Sequence, residues 1–443
     1  MATNILSRHN RIYIPLSLAF LAIACSSPSR GLFTKKTAHE QYASRLADAG
    51  LAETELGTRW LTAAQKAITQ PVSITLPYKE AGYFAADKPT ASGFLFPVRR
   101  GEKVLVQLQL QPAGAFRLFA DLWKPGNTPG KPDLLATADT TSWNLEYEVE
   151  ADGQFLLRLQ PELLRGGRYE VAITTGPSIA FPVSGSTPSR IGSFWGDNRD
   201  GGKRSHEGID IFGKFRTPVV AAADGYITST RENNLGGKVV FLRPKGKSYT
   251  LYYAHLDEQL VRDNQEVRIG DTVGLMGNTG NAKHTPTHLH FGIYTSSGAV
   301  DPMPFVLRER KPPVPVTAPT DLLQQTVRNT AGVPLYASPA RSAATLEKLP
   351  ANRVMAVAAA TGNWYRVVMH DGKEGFIESK SVSAAPYRKQ SLKAAANLLD
   401  QPDTTAAVKL NIPAGKDVQL LGQQGDFHMV LFEGESGWVQ LGK

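Results

Sequence analysis

Apolar and polar residues alternate along the first part of the chain, as in half-buried β-strands. The alternation is clearest over 104–111, where four apolar residues alternate with Leu105 and three glutamines. Because successive strand residues face opposite sides of a sheet, this segment has one apolar face. Further strand candidates, with Gly and Pro turns between them, are 116–123, 143–150, 155–160 and 168–174. Short strands at such spacing predict a β-sandwich over residues 71–184.

A helical period precedes these strands. Four apolar residues lie four positions apart, namely Leu56, Trp60, Ala64 and Ile68. This spacing puts them on one face of a helix. The pattern predicts one helical segment, preceded by a polar tether, within residues 25–70.

The amino terminus has the layout of a signal peptide. An apolar run over 12–24 follows Arg8 and Arg11 and ends in small residues just before Cys25. Since a membrane-spanning helix needs about 20 apolar residues, the run predicts a cleaved signal over 1–24 and not a permanent anchor. The stretch Leu-Ala-Ile-Ala-Cys at 21–25 resembles the lipobox of bacterial lipoproteins, in which the cysteine is lipidated. An ordinary secretory signal is the competing interpretation.

Linkers and a repeat divide the rest of the chain. Residues 184–189 are rich in Ser, Gly, Thr and Pro, and four prolines lie within 309–323. Beyond them, Trp364 aligns with Phe427 at an offset of 63, and a proline and a glycine align at the same offset, which indicates two short β modules in tandem. The predicted division is a signal peptide at 1–24, the tether and helical segment at 25–70, the sandwich at 71–184, a strand-rich domain at 190–308, a proline-rich linker at 309–323, and modules at 324–385 and 388–443.

Composition narrows the class of protein. The 443 residues include 49 basic and 40 acidic ones, and 42% are hydrophobic, as in an ordinary globular protein. Cys25 is the only cysteine, which excludes an intramolecular disulfide and a cysteine zinc cage, so any metal must be held by His and carboxylates. Removal of 1–24 takes away two arginines and reduces the positive surplus from 9 to 7. No nucleic-acid partner is expected.

Five of the 9 histidines fall within residues 206–290. His288 and His290 are spaced by two, so on a strand both point to one face while Leu289 points into the core. His255 ends an aromatic-rich run, 249–254, which predicts the second arm of a hairpin. His284 lies in a Lys-His-Thr-Pro loop and is expected at the surface, with a contact to the substrate as the alternative.

His206 and Asp210 form the first half of the cluster. Gly208 between them, and the β-rich stretch at 217–220, argue against a helix. A turn or strand can instead bring the two side chains to one side. Both residue types are good zinc ligands.

Together, His206-x-x-x-Asp210, His255 and His288-x-His290 resemble the motifs of the lysostaphin-type zinc metallopeptidase family. Flanking phrases such as Gly-Ile-Asp-Ile and Thr-His-Leu-His-Phe agree, and the resemblance covers about residues 193–306. It implies that His206, Asp210 and His290 hold one Zn²⁺. It also implies that His255 and His288 flank the metal and act on the water and the developing oxyanion. Which of the two is the general base is left open.

The repeated modules resemble bacterial SH3-like domains, which often bind cell-wall peptides. Their aromatics Trp364 and Phe427 either serve that purpose or fill small barrel cores. The expected fold class is mainly β and multidomain, with an N-terminal helix plus β-sandwich, an antiparallel β catalytic domain of the lysostaphin type, and two small SH3-like β-barrels.

The family resemblance implies a zinc-dependent endopeptidase that cleaves peptide bonds in peptidoglycan. The expected partners are peptidoglycan peptides and, through Cys25, a lipid anchor in the membrane. The expected location is the bacterial cell envelope, at the outer membrane facing the periplasm. The alternative is a non-catalytic relative that scaffolds or activates another wall hydrolase; such relatives typically lack zinc ligands, whereas all five positions are present here.

Overall fold

The structure is a computed structural model that describes residues 36–114, 116–126, 132–138, 143–185, 190–307 and 310–441. The predicted signal peptide at 1–24 and the predicted lipidation site, Cys25, lie outside the described residues. None of the helices in the described ranges combines the length and the apolar composition that a bilayer span requires.

Two helices precede the strands, where the sequence predicted one segment. They are α1 (Ala38–Asp48) and α2 (Glu55–Thr69). The chain turns between them at Gly50, which has a φ of +69°, and Thr54 caps the start of α2. The predicted apolar stripe belongs to α2 alone, so it gave no sign of the break. Trp60 of this stripe is fully buried, and its indole donates a hydrogen bond to a sandwich carbonyl.

A β-sandwich follows, as predicted. Its strands in the described residues are β1 (Val72–Ser73), β2 (Tyr78–Phe84), β3 (Ser92–Val98), β4 (Glu102–Gln111), β5 (Leu118–Lys124), β6 (Asp133–Thr137), β7 (Asn144–Glu148), β8 (Gly153–Pro161) and β9 (Gly167–Pro177). One sheet has the order β1-β3-β8-β5-β6, and the other contains β2-β9-β4-β7. The alternation predicted over 104–111 holds in β4, whose four alternate apolar residues are buried while its glutamines are exposed.

The next domain is built on one large antiparallel sheet. Its described elements are β10 (Ile191–Ser193), β11 (Asn198–Arg199), β12 (Arg204–Ser205), β13 (Ile209–Phe212), β14 (Pro218–Val220), β15 (Gly225–Asn233), β16 (Gly237–Pro244), β17 (Thr250–Gln259), β18 (Glu266–Val267), β19 (Thr272–Met276), β20 (His288–Thr295), β21 (Gly298–Val300) and α3 (Met303–Val306). The sheet order is β10-β13-β20-β17-β16-β15-β18. This order makes β20 a central strand between β13 and β17.

Two small β modules complete the chain. The first contains β22 (Thr326–Asn329), β23 (Val333–Tyr336), β24 (Thr345–Leu349), β25 (Val354–Thr361), β26 (Trp364–Met369), β27 (Glu374–Glu378) and β28 (Val382–Ser383). The second contains β29 (Arg388–Ser391), β30 (Ala396–Leu399), β31 (Val408–Ile412), β32 (Asp417–Gln424), β33 (Phe427–Phe432) and β34 (Glu435–Gln440).

The two modules share one strand-pairing pattern. The strands β30, β31, β32 and β33 each begin 63 residues after β23, β24, β25 and β26, which is the offset of the sequence repeat. The pairings of β23 with β24 and β27 recur as those of β30 with β31 and β34. The repeat in the sequence therefore corresponds to a repeat in structure.

The first module is joined to the sandwich by a shared sheet. Strand β25 pairs with β2, so that Ala81 lies opposite Ala360. Trp364 and Phe376 of the module pack in the sandwich core, and Phe427 of the second module packs between the modules. Trp364 thus fills a core shared by two domains, an arrangement that the sequence did not suggest.

Candidate metal centre

Strand pairing brings two of the predicted ligands together. Asp210 on β13 lies directly opposite His290 on β20, and His206 lies in the short turn just before β13. His206 Nε2 is 2.9 Å from His290 Nδ1, and each of these nitrogens is 3.0 Å from Asp210 Oδ1. His206 and Asp210 are buried, and His290 is partly buried. Within the described residues, His206, Asp210 and His290 thus form a group that could hold a metal ion.

His288 lies beside this group on the same face of β20. Its Nε2 is 4.0 Å from Asp210 Oδ1, and its Nδ1 lies 2.8 Å from the carbonyl of Pro286. With the proton on Nδ1, the ring donates to that carbonyl and presents a bare Nε2 towards the cluster. Leu289 between the two histidines is fully buried on the other side of the sheet, as the alternation predicted.

His255 reaches the cluster from a bulge in β17 and not from the end of a strand. The pairing with β16 shifts between Tyr253 and Leu256, so the strand continues to Gln259 with an extra residue in the ladder. At the bulge His255 has a φ of +63°, a left-handed conformation that non-glycine residues rarely adopt. The bulge places the centroid of its ring 4.9 Å from the centroid of the His288 ring. The sequence carried no glycine or proline that would have marked this bulge.

The environment keeps His255 neutral. Burial, together with the positive charges of His288 and His290 when protonated, lowers the pKa of His255 to about 4. Its Nδ1 lies 2.9 Å from the carbonyl of Thr279, which orients the ring in the same way as that of His288. A neutral, oriented imidazole is suited to accept a proton.

The cluster fits a zinc ion by the chemistry of its donors. Burial raises the pKa of Asp210, but the hydrogen bonds to His206 and His290 and the charges of these rings together lower the pKa by more than burial raises it. The carboxylate therefore stays ionised. His206 Nδ1 lies 2.8 Å from the carbonyl of Phe194, which orients the ring so that Nε2 faces the other two ligand atoms. Three ligands of the types that zinc prefers meet there, which is the number that a catalytic site uses.

A cleft of about 670 Å³ opens onto the cluster. All its lining residues belong to 193–294, so no described part of the sandwich or of the two modules lines it. Sequence reasoning missed several lining residues, among them Arg199, Arg231, Tyr252 and Tyr294. For Arg199 the sequence offered one signal, the Asp-Gly pair that follows it, because such pairs mark tight turns.

The remaining histidine of this stretch stays apart from the cluster. His284 is exposed in the loop before β20 and does not line the cleft. This agrees with its expected position at the surface.

Family comparisons cover two parts of the chain. Residues 204–302 match Peptidase family M23, and residues 329–384 match Bacterial SH3 domain. The first match contains the five cluster residues described above, and the second covers most of the first module. The second module lies outside both matches.

Individual relatives match the same region. An L-Ala--D-Glu endopeptidase of Bacillus subtilis is 34% identical over 137 residues, which is 28% of this chain and 42% of the relative. The murein hydrolase activator NlpD of Escherichia coli is 31% identical over 126 residues, or 28% of this chain and 30% of the relative. The chain thus spans less than half the length of either relative. The solved catalytic domain of lysostaphin from Staphylococcus simulans is 32% identical, with coverage of 26% of this chain and 90% of that domain and a TM-score of 0.24.

Proposed function

Because the chain carries a lysostaphin-type domain of peptidase family M23 and a bacterial SH3 domain, we propose that it is a zinc-dependent endopeptidase that cleaves peptide bonds in peptidoglycan. The observation that carries the proposal is the convergence of His206 Nε2, Asp210 Oδ1 and His290 Nδ1 within 3.0 Å of one another. Two further histidines, His255 and His288, stand beside this group in a cleft.

His206, Asp210 and His290 would hold the zinc ion. A bound zinc ion in such a site lowers the pKa of a bound water towards neutrality and polarises a carbonyl. Three protein ligands would leave a position for that water. These three ligand residues line the cleft of about 670 Å³.

His255 and His288 would handle protons during the reaction. Each ring is held through Nδ1 by a backbone carbonyl, so the neutral ring offers Nε2 as an acceptor. One ring takes a proton from the attacking water, and a protonated ring donates to the developing oxyanion or the leaving amine. Tetrahedral intermediates of this kind are stabilised by donors that are already in place.

The same proposal places the protein in the bacterial cell envelope. The predicted signal over 1–24 and Cys25 in its lipobox-like context support export and lipid attachment, at the outer membrane facing the periplasm. The expected partners are peptidoglycan peptides. The surplus of 7 positive charges in the processed chain favours approach to an anionic wall, although salt screens it.

A second candidate function is activation of another wall hydrolase without catalysis. The similarity to the murein hydrolase activator NlpD favours it. The presence of all three metal-ligand residues and both flanking histidines favours the enzyme.

Digestion of purified murein separates the two functions. We expect the purified protein to release soluble muropeptides, to lose this activity with a zinc chelator, and to recover it when zinc is restored. The released products identify the bond, whether a stem-peptide cross-link or a bridge. His284→Ala is the matched control for alanine variants of the cluster histidines. It should retain full activity, because this exposed histidine does not line the cleft. Zinc-loaded protein that releases nothing alone, yet accelerates a separate wall hydrolase, would favour the activator.

A further inference from the structure

The carboxylate of Asp210 has its two oxygens in different surroundings. Oδ1 faces His206 Nε2 and His290 Nδ1, each at 3.0 Å. Oδ2 accepts a hydrogen bond from Arg199 Nη2 at 2.7 Å. One oxygen therefore belongs to the candidate metal group, and the other is held by an arginine.

Arg199 is itself held in place by the turn that leads into the cluster. Its Nη2 also donates to Ser193 Oγ at 2.6 Å, and Ser193 Oγ donates to Asp197 Oδ2 at 2.8 Å. Asp197 Oδ2 in turn accepts from the backbone N–H of Phe194. The side chain of Arg199 is 30% exposed and that of Asp210 is 10% exposed. The arginine thus lies at the wall of the cleft, with its guanidinium against a nearly buried carboxylate.

The same turn fixes a second ligand. The carbonyl of Phe194 lies 2.8 Å from His206 Nδ1, and Ser193 Oγ is 3.3 Å from the same nitrogen. Residues 193–199, which we call the ligand-supporting turn, therefore contact both His206 and Asp210. Hydrogen bonds of this kind set the orientation of the ligands that they contact.

We propose that Arg199 is a positioning residue that reserves Oδ2 of Asp210, so that the carboxylate presents one oxygen to the metal and a coordination position stays open for water. This inference rests on the proposed function. A carboxylate that is free to rotate can give both oxygens to a metal ion, and a site that keeps three protein ligands retains a place for water. Arginine suits this purpose because its planar guanidinium group stays charged and holds its N–H donors in fixed directions.

Cobalt substitution tests the proposal with a readout besides activity. The intensity of the visible absorption of a cobalt(II) site depends on its coordination geometry. We expect Arg199→Met to bind cobalt with weaker visible absorption than the unmodified protein, which indicates a higher coordination number. Murein digestion at saturating zinc should show a kcat reduced by roughly 10–100-fold, the range typical when a partner of a metal ligand is removed, with a KM changed less than about twofold. Arg199→Lys keeps the charge and one donor, so it should be intermediate in both readouts.

Arg216→Met is the matched control. Arg216 belongs to the same domain and pairs with the carboxylates of Asp257 and Glu258, but it does not line the cleft. This variant should keep the unmodified cobalt spectrum and kcat. If Arg199→Met fails to fold, Arg199→Lys carries the test.

Three results would overturn the proposal. One is an unchanged cobalt spectrum and kcat in both Arg199 variants. Another is a raised KM with an unchanged kcat and cobalt spectrum, which would make Arg199 a substrate contact. The third is an unmodified protein that binds neither cobalt nor zinc, which would also remove the proposed function. An unmodified protein that binds cobalt and does not cut murein would contradict the proposed function alone. The cobalt spectra of the Arg199 variants would then test the positioning role of Arg199.

Discussion

A buried ion pair joins the sandwich to the first module, and its removal should destabilise both. Arg366 on β26 donates through Nη2 to Glu80 Oε1 at 3.0 Å and through Nε to Glu80 Oε2 at 3.2 Å. The side chains are 3% and 0% exposed. Glu80 also accepts from the hydroxyls of Tyr78 and Tyr169, each at 2.7 Å. Arg366→Met would leave the Glu80 carboxylate without its cation in a place that water does not reach, and it would also remove the hydrogen bond that the partly exposed Glu374 accepts at 2.8 Å.

The expected loss follows from that burial. Breaking a buried ion pair by removing one partner costs about 3–5 kcal/mol, because the other charge stays buried and uncompensated. With a slope of about 3 kcal/mol per molar urea, the midpoint of unfolding should fall by about 1–1.7 M. Urea unfolding of the full chain, followed by tryptophan fluorescence, measures this shift. The double variant Glu80→Gln/Arg366→Met removes both charges and should recover much of the loss.

An ion pair with an exposed arginine on the same module provides the control. Arg341 pairs with Glu378 at 2.6 Å, but its side chain is 69% exposed. Arg341→Met should leave the midpoint unchanged, because exposed pairs contribute little. If Arg366→Met shifted the midpoint no more than Arg341→Met, the reasoning about the buried pair would be refuted.

Two further predictions concern buried aromatic groups. Burial and the charge of Arg158 lower the pKa of His39 to about 3. Between about pH 6 and pH 4 the unfolded chain therefore binds a proton that the folded chain does not. As the pH decreases through this range, the free energy of unfolding should decrease by up to about 1.4 kcal/mol per pH unit. His39→Phe keeps a ring on Trp60 and should flatten this fall in urea unfolding at pH 7 and pH 5, whereas an identical pH profile would contradict it. Trp364→Ala should cost about 3–5 kcal/mol, because the ring fills the shared core. Unchanged stability with a loss of murein binding in sedimentation would instead show a ligand-binding aromatic.

Local patterns predicted those features that depend on neighbouring residues. The alternation in β4 fixed which side chains are buried, and the spacing of His288 and His290 put both on one face of β20. The offset of 63 anticipated the common strand pairing of the two modules. In each case the feature follows from a periodicity of the sequence, either the two-residue period of a strand or the spacing of the repeat.

Other features depend on residues far apart in the chain. The pairing of β2 with β25 joins segments separated by most of the chain, and no local pattern indicates it. The bulge at His255 arises from the register between β16 and β17, which turn signals did not reveal. Arg199 gains its place through Asp210 and Ser193, and its sequence context shows only a turn. Register and side-chain hydrogen bonds therefore account for what the sequence did not predict.

The metal content of two histidine variants tests the central claim most directly. Zinc bound per chain and murein digestion should be measured together for the unmodified protein, His290→Ala and His288→Ala. The account predicts one zinc per chain and activity in the unmodified protein, loss of both in His290→Ala, and retention of zinc with loss of activity in His288→Ala. An unmodified protein that is active without metal, or two variants that keep full activity, would contradict it.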